Sequence, residues 1–98
     1  MLVHSVYFWL KDDLSADQVA AFRQGVQSLC SIKAAEAVYV GQPAATDRPI
    51  IDRSYSFGLT VVCKDLAAHD AYQAHPIHQA FAKTFATFWK KIVIFDAE

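Results

Sequence analysis

The start of this chain is apolar on both faces of an extended segment, and further on hydrophobic positions recur at helical spacing. Leu2 to Leu10 is rich in β-branched and aromatic residues and too short for a buried helix, which predicts a strand. Leu2, His4, Val6, Phe8 and Leu10 share one face, and Val3, Ser5, Tyr7 and Trp9 the other. Neither face is made for water, so each needs a cover. The polar turn Lys11 to Leu14 leads into Ser15-Ala16-Asp17-Gln18, a capping box that starts a helix. Leu14 and Val19 fall at its staple positions, and Val19, Phe22, Val26 and Leu29 recur at helical spacing as far as Cys30. Gly25 inside that helix costs about 1 kcal/mol relative to Ala, which predicts a close approach to the backbone there.

Glu36 to Gln42 predicts a short second strand ending at Gly41 and Pro43, and residues 43–53 form an aperiodic loop. Tyr55 to Cys63 alternates. Tyr55, Phe57, Leu59, Val61 and Cys63 form a bulky face, while Ser56, Gly58, Thr60 and Val62 form a flat one suited to another sheet. Asp65 caps a helix bearing Leu66, Ala67, Asp70 and Tyr72. That helix must break at Pro76, which lacks an N–H and clashes with the preceding turn. Proline also suits the first position of a new helix, with His75 as its N-cap. The new helix carries Ile77, Ala80, Phe81, Thr84, Phe85 and Phe88 as a stripe, Lys90 and Lys91 near its end, and Ile92 to Phe95 as a last strand. The order is βαββαβ. Its two helical regions cover only one face of a four-stranded sheet, so the other face predicts a second chain, sheet against sheet.

Composition strengthens that expectation. The 98 residues fit one domain, 1–98, and 54% hydrophobic with 13% aromatic residues is more apolar material than a small monomer readily buries. A net charge of −1 with scattered Lys and Arg argues against nucleic acid as a partner. The amino terminus lacks the pattern of a secretory signal, and no apolar run is long enough to span a membrane. Cys30 and Cys63 lie in apolar segments without CxxC spacing, which predicts free buried thiols and a cytoplasmic protein.

Candidate chemistry gathers at Ala71 to Phe81, AYQAHPIHQAF, where Tyr72, His75 and His78 surround Pro76. His78 falls at the edge of the apolar stripe, and His4 lies on the strand face assigned to the helices, so both rings look into one cavity. An imidazole in an apolar cleft stays neutral near pH 7 and accepts a proton. The Tyr72 hydroxyl is suited to donate to a carbonyl oxygen as charge develops on it. Together they fit proton abstraction next to a carbonyl. The same residues also fit a His78 bonded to a backbone carbonyl and a Tyr72 that is a core aromatic, and His75 reads first as a cap. His69 is expected to face solvent with Asp70. His75 and His78 have the spacing of a metal pair, but the break between them and the lack of a third carboxylate ligand predict no metal.

Four stretches carry a family resemblance across nearly the whole chain: HSVYFWLK from His4, DRSYSFGLTV from Asp52 to Val61, AYQAHPIHQAF, and FWKKIVIFD from Phe88 to Asp96. Together they resemble the stress-responsive A/B barrel family of the dimeric α+β barrel superfamily. The resemblance implies a ferredoxin-like α+β monomer with an antiparallel four-stranded sheet, paired into a barrel across a homodimer. One branch of that family cyclises linear polyketides by intramolecular aldol chemistry. It implies that Tyr72 polarises the ketone and His78 takes the α-proton, without a cofactor. The expected pocket wall is His4, Val6, Phe8, Phe22, Phe57, Leu59, Val61, His75 and Phe81. Phe57 and Val26 depart from the more polar or aromatic choices of the cyclising members. Three functions stay open: a stress-related protein binding a small apolar or carbonyl ligand, a cofactor-independent lyase or cyclase, and a cofactor-independent oxygenase.

Overall fold

In the computed structural model, which describes residues 1–98, the first strand is the spine of the sheet. β1 (Leu2–Leu10) pairs antiparallel with β3 (Phe57–Cys63) on one side and β4 (Trp89–Ala97) on the other; β2 (Ala37–Gly41) completes the order β2-β3-β1-β4. Between the strands run α1 (Ala16–Ser28), a 3-10 turn at Leu29–Ser31, α2 (Leu66–Ala74) and α3 (Pro76–Phe85). This is the expected ferredoxin-like α+β fold with one antiparallel sheet of four strands. Leu2, His4, Val6, Phe8 and Leu10 are all buried on the helix side, and the intervening residues are only half-buried.

The predicted caps form. Ser15 Oγ accepts from Gln18 N at 3.1 Å, and Gln18 Oε1 accepts from Ser15 N at 2.8 Å. Gly25 is a site of close approach: a Cβ placed there would lie 2.3 Å from Phe85 Cε2, so only glycine lets α3 seat its ring against α1. The core then closes around Phe22, Val26, Leu29 and Ile32, each at most 1% exposed.

Several local expectations change. α1 ends at Ser28, and the tighter turn after it rotates the chain so that Leu29 and Ile32 enter the core while Cys30 is exposed; only Cys63 is a buried thiol. The third strand begins at Phe57, not Tyr55. Tyr55 lies on the outer face, its ring 4.9 Å from that of Tyr7, and within the chain these two rings pack over Gly58. α3 stops at Phe85, where Phe88 N donates to Phe85 O at 2.9 Å to close a turn. The last strand therefore starts at Trp89 and takes in Lys90 and Lys91, which were expected near a helix end. Lys91 Nζ sits 4.5 Å from the centre of the Trp9 ring, and Lys90 pairs with Asp12 at 2.9 Å.

Candidate functional site

The break at Pro76 is built as its residues require. Asp65 accepts from Ala68 N at 2.9 Å to start α2. His75 leaves the helix with an extended backbone, and its Nδ1 accepts from Ile77 N at 3.1 Å to start α3, with Pro76 as the first residue. His75 therefore acts as a cap. The break faces two rings towards each other, Tyr72 from the end of α2 and His78 from the first turn of α3, with centroids 5.1 Å apart. Tyr72 is fully buried, and neither its hydroxyl nor His78 Nδ1 has a hydrogen-bond partner. Burial pushes the Tyr72 phenol well above its ordinary pKa, so it remains a donor. Burial, then the charges of His4 and His69, holds His78 below its ordinary value, so its ring is neutral and basic near pH 7.

His4 extends this set along the sheet. The β1–β4 register places it opposite Asp96, and its Nδ1 lies 2.5 Å from Asp96 Oδ1. Its ring meets Tyr72 at 6.2 Å and His69 at 4.9 Å. Four rings thus run from His69 through His4 and Tyr72 to His78. The expectation that His69 faces solvent is corrected: its side chain is 12% exposed and turned onto His4. His69 lies one helical turn before Tyr72 and so shares its face, a signal present in the sequence. Asp96 lay beyond the expected last strand, and nothing in the sequence pattern fixed its register against His4. His4, His69 and Asp96 are also the residues best placed to hold a metal ion.

The remaining wall residues divide. Val61 and Leu59 sit in register beside His4 and Val6 under the helices. Phe8, Phe22, Phe57 and Phe81 instead close on one another, with Phe22 5.3 Å from Phe8, 5.5 Å from Phe57 and 5.8 Å from Phe81. That end of the interior is filled by phenylalanine. The surface concavities, of 460 and 250 Å³, lie on the opposite face of the sheet, where Tyr7 and Tyr55 line both. On the helix side the cover is incomplete only along β4. There Ile92 and Ile94, paired with Phe8 and Val6, remain exposed beside Asp96.

With this geometry in place, the sequence profile of the stress-responsive A/B barrel domain matches residues 2–98. The chain belongs to that family. It is 26% identical over 94 residues to olivetolic acid cyclase of Cannabis sativa, covering 95% of this chain and 91% of that protein. The hydroxynitrile lyase of Passiflora edulis superposes with a TM-score of 0.78 at 20% identity, covering 98% of this chain and 90% of that one. A dimeric ferredoxin-like protein of Thermobifida fusca gives the same TM-score at 22% identity, with 98% and 88% covered. Proteins similar to this chain in sequence or in fold thus carry differently named reactions, and the fold alone does not select one. No helix is long and apolar enough to cross a membrane.

Proposed function

We propose that this A/B barrel protein is a homodimer that holds a small carbonyl compound between Tyr72 and His78 and moves a proton at the carbon beside the carbonyl. One observation carries the reading: two buried polar atoms without partners, the Tyr72 hydroxyl and His78 Nδ1, on rings 5.1 Å apart. An unpaired buried polar group costs about 1–3 kcal/mol, and a carbonyl compound would supply a partner to each. The step balances without a cofactor. His78 Nδ1 takes the α-proton, the C–H electron pair moves into an enolate, and the oxygen that gains charge accepts from the Tyr72 hydroxyl. The enolate carbon then attacks a second carbonyl of the same molecule or recovers the proton. The named relatives support carbonyl chemistry on this scaffold, since a hydroxynitrile becomes a carbonyl compound when it loses cyanide and its hydroxyl proton.

Because Tyr72 is fully covered, the ligand reaches it only when α3 yields at the Pro76 break, with exposed Ile92 and Ile94 as the apolar approach. His4, Val61 and Leu59 form the floor beneath it. The second chain covers the outer face, where Tyr39 and Phe95 are exposed and Tyr7, Trp9, Tyr55 and Val93 line the larger concavity. Sedimentation should show a dimer at micromolar concentration; a monomer would refute that half of the reading. The free thiols Cys30 and Cys63 support a cytoplasmic setting.

The proton transfer is tested by following α-hydrogen exchange of a medium-chain β-diketone in heavy water by NMR. The wild-type protein should accelerate exchange, and Tyr72→Phe and His78→Ala should each lose about a hundredfold or more of that acceleration. Exchange no faster than in buffer contradicts the proton transfer.

A further inference from the structure

We propose that His4, His69 and Asp96 form a binding site for a divalent transition metal, with zinc(II) as its type ion, beside the Tyr72 and His78 pair and sharing His4 with its floor. The three come from β1, α2 and β4, segments far apart in the chain, and one ligand atom from each lies within 4.8 Å of the other two. Two imidazoles and a carboxylate are a donor set that zinc(II), iron(II) and cobalt(II) accept at about 2.0–2.2 Å. Three protein ligands leave a further coordination position open, the arrangement of a reactive centre more than of a structural one. Around a tetrahedral ion with bonds of about 2.1 Å, ligand atoms lie about 3.4 Å apart. Ligand atoms as much as 4.8 Å apart must therefore draw together by about an ångström or more.

The surroundings allow that closure. His4 is 3% exposed and fixed by the strand pairing that sets it opposite Asp96, so it is the anchor. The Asp96 side chain is 45% exposed, which gives an ion a way in from solvent and leaves the carboxylate free to turn. The Gln73 amide lies 3.4 Å from His69 Nε2, a long contact that a metal bond would replace at little cost. Asp70 Oδ1 lies 3.2 Å from His69 Nδ1 and is placed to hold that nitrogen while Nε2 binds the ion, as carboxylates do behind metal-bound imidazoles. A hydrogen bond between His4 and Asp96 accounts for those two residues alone. It does not explain why α2 turns a third ligand, His69, edge-on to His4 at 4.9 Å. The site is not the His75 and His78 spacing noted in the sequence, since His75 Nδ1 caps α3.

The test uses the intact chain after chelator treatment, titrated calorimetrically with zinc(II) and, in parallel, with cobalt(II) read by visible absorption. His4 is fixed in the middle of the sheet, so the variants are His69→Ala, whose side chain is 12% exposed, and Asp96→Asn, each checked for an unchanged thermal midpoint without metal. The expected result is one ion per chain for the wild type, a loss of at least tenfold in affinity for each variant, and loss of the cobalt absorption in both. His78→Ala should bind zinc as the wild type does. The proposal is overturned if the wild type takes up no ion, if His69→Ala and Asp96→Asn bind as the wild type does, or if His78→Ala is the variant that loses the metal.

Discussion

Two ends of one strand build different interiors. Around Phe8 the helix side of the sheet is closed by rings alone: Phe22, Phe57, Phe81, Phe85 and Trp89 interlock at centroid distances between 5.2 and 6.4 Å. Two turns of the pleat away, around His4, the same side holds two further imidazoles, a phenol and a carboxylate, and two buried polar atoms lack partners. The aromatic end satisfies every demand of burial and holds the fold. The imidazole end leaves demands unmet, which is why the proposed function puts the ligand there: it would supply what the chain does not.

Substitutions at the two ends should therefore move stability in opposite directions. Phe22→Ala empties the centre of the aromatic end and should lower unfolding stability by about 3–5 kcal/mol in a denaturant titration. Gly25→Ala acts on the same end from the other side. It gains about 1 kcal/mol of helix propensity but drives a methyl into the Phe85 ring, a crowding that costs about 1–3 kcal/mol, so the net effect should be destabilising. At the imidazole end, Tyr72→Phe removes an unpartnered hydroxyl while keeping the ring. It should raise stability by about 1 kcal/mol while losing about a hundredfold or more of the acceleration of α-hydrogen exchange. A Tyr72→Phe protein that unfolds more easily than the wild type would mean that the hydroxyl is satisfied within the chain, and the contrast between the ends would vanish.

The smallest effect sharpens the contrast by pH. The folded His78 ring titrates below its ordinary 6.5 because burial disfavours the charged form. Above 6.5 the ring is neutral in folded and unfolded chains alike, and its contribution is fully present. As pH falls below 6.5, the unfolded chain binds a proton that the folded ring refuses, so stability declines until pH passes the folded value. His78→Gln should flatten that part of the pH profile, and an NMR titration should place the His78 midpoint below 6.5.

The aromatic end was largely legible in the sequence because its evidence is periodic. The alternation of β1 and the 3.6-residue stripes of α1 and α3 placed Phe8, Phe22 and Phe81 on one side, although a pocket wall was expected where they form a filled core. The break at Pro76, with His75 as a cap and Tyr72 facing His78, was legible because proline allows few alternatives. Asp96 and His69 were not. Asp96 depends on strand register, which a difference of one residue reverses, and the expected last strand stopped at Phe95, one residue before it. His69 was assigned to solvent beside Asp70, although its spacing from Tyr72 put both on one helix face. Cys30 went astray where a 3-10 turn shifted the helical phase.

The measurement that bears most directly on the imidazole end is the ¹³C resonance of a carbonyl-labelled β-diketone added to the protein. Bound between the two rings, the carbonyl carbon should move downfield as the Tyr72 hydroxyl polarises it, and the displacement should disappear in Tyr72→Phe while binding persists. A carbonyl resonance unchanged by the wild-type protein, or displaced equally by Tyr72→Phe, would contradict a carbonyl site built on Tyr72 and His78.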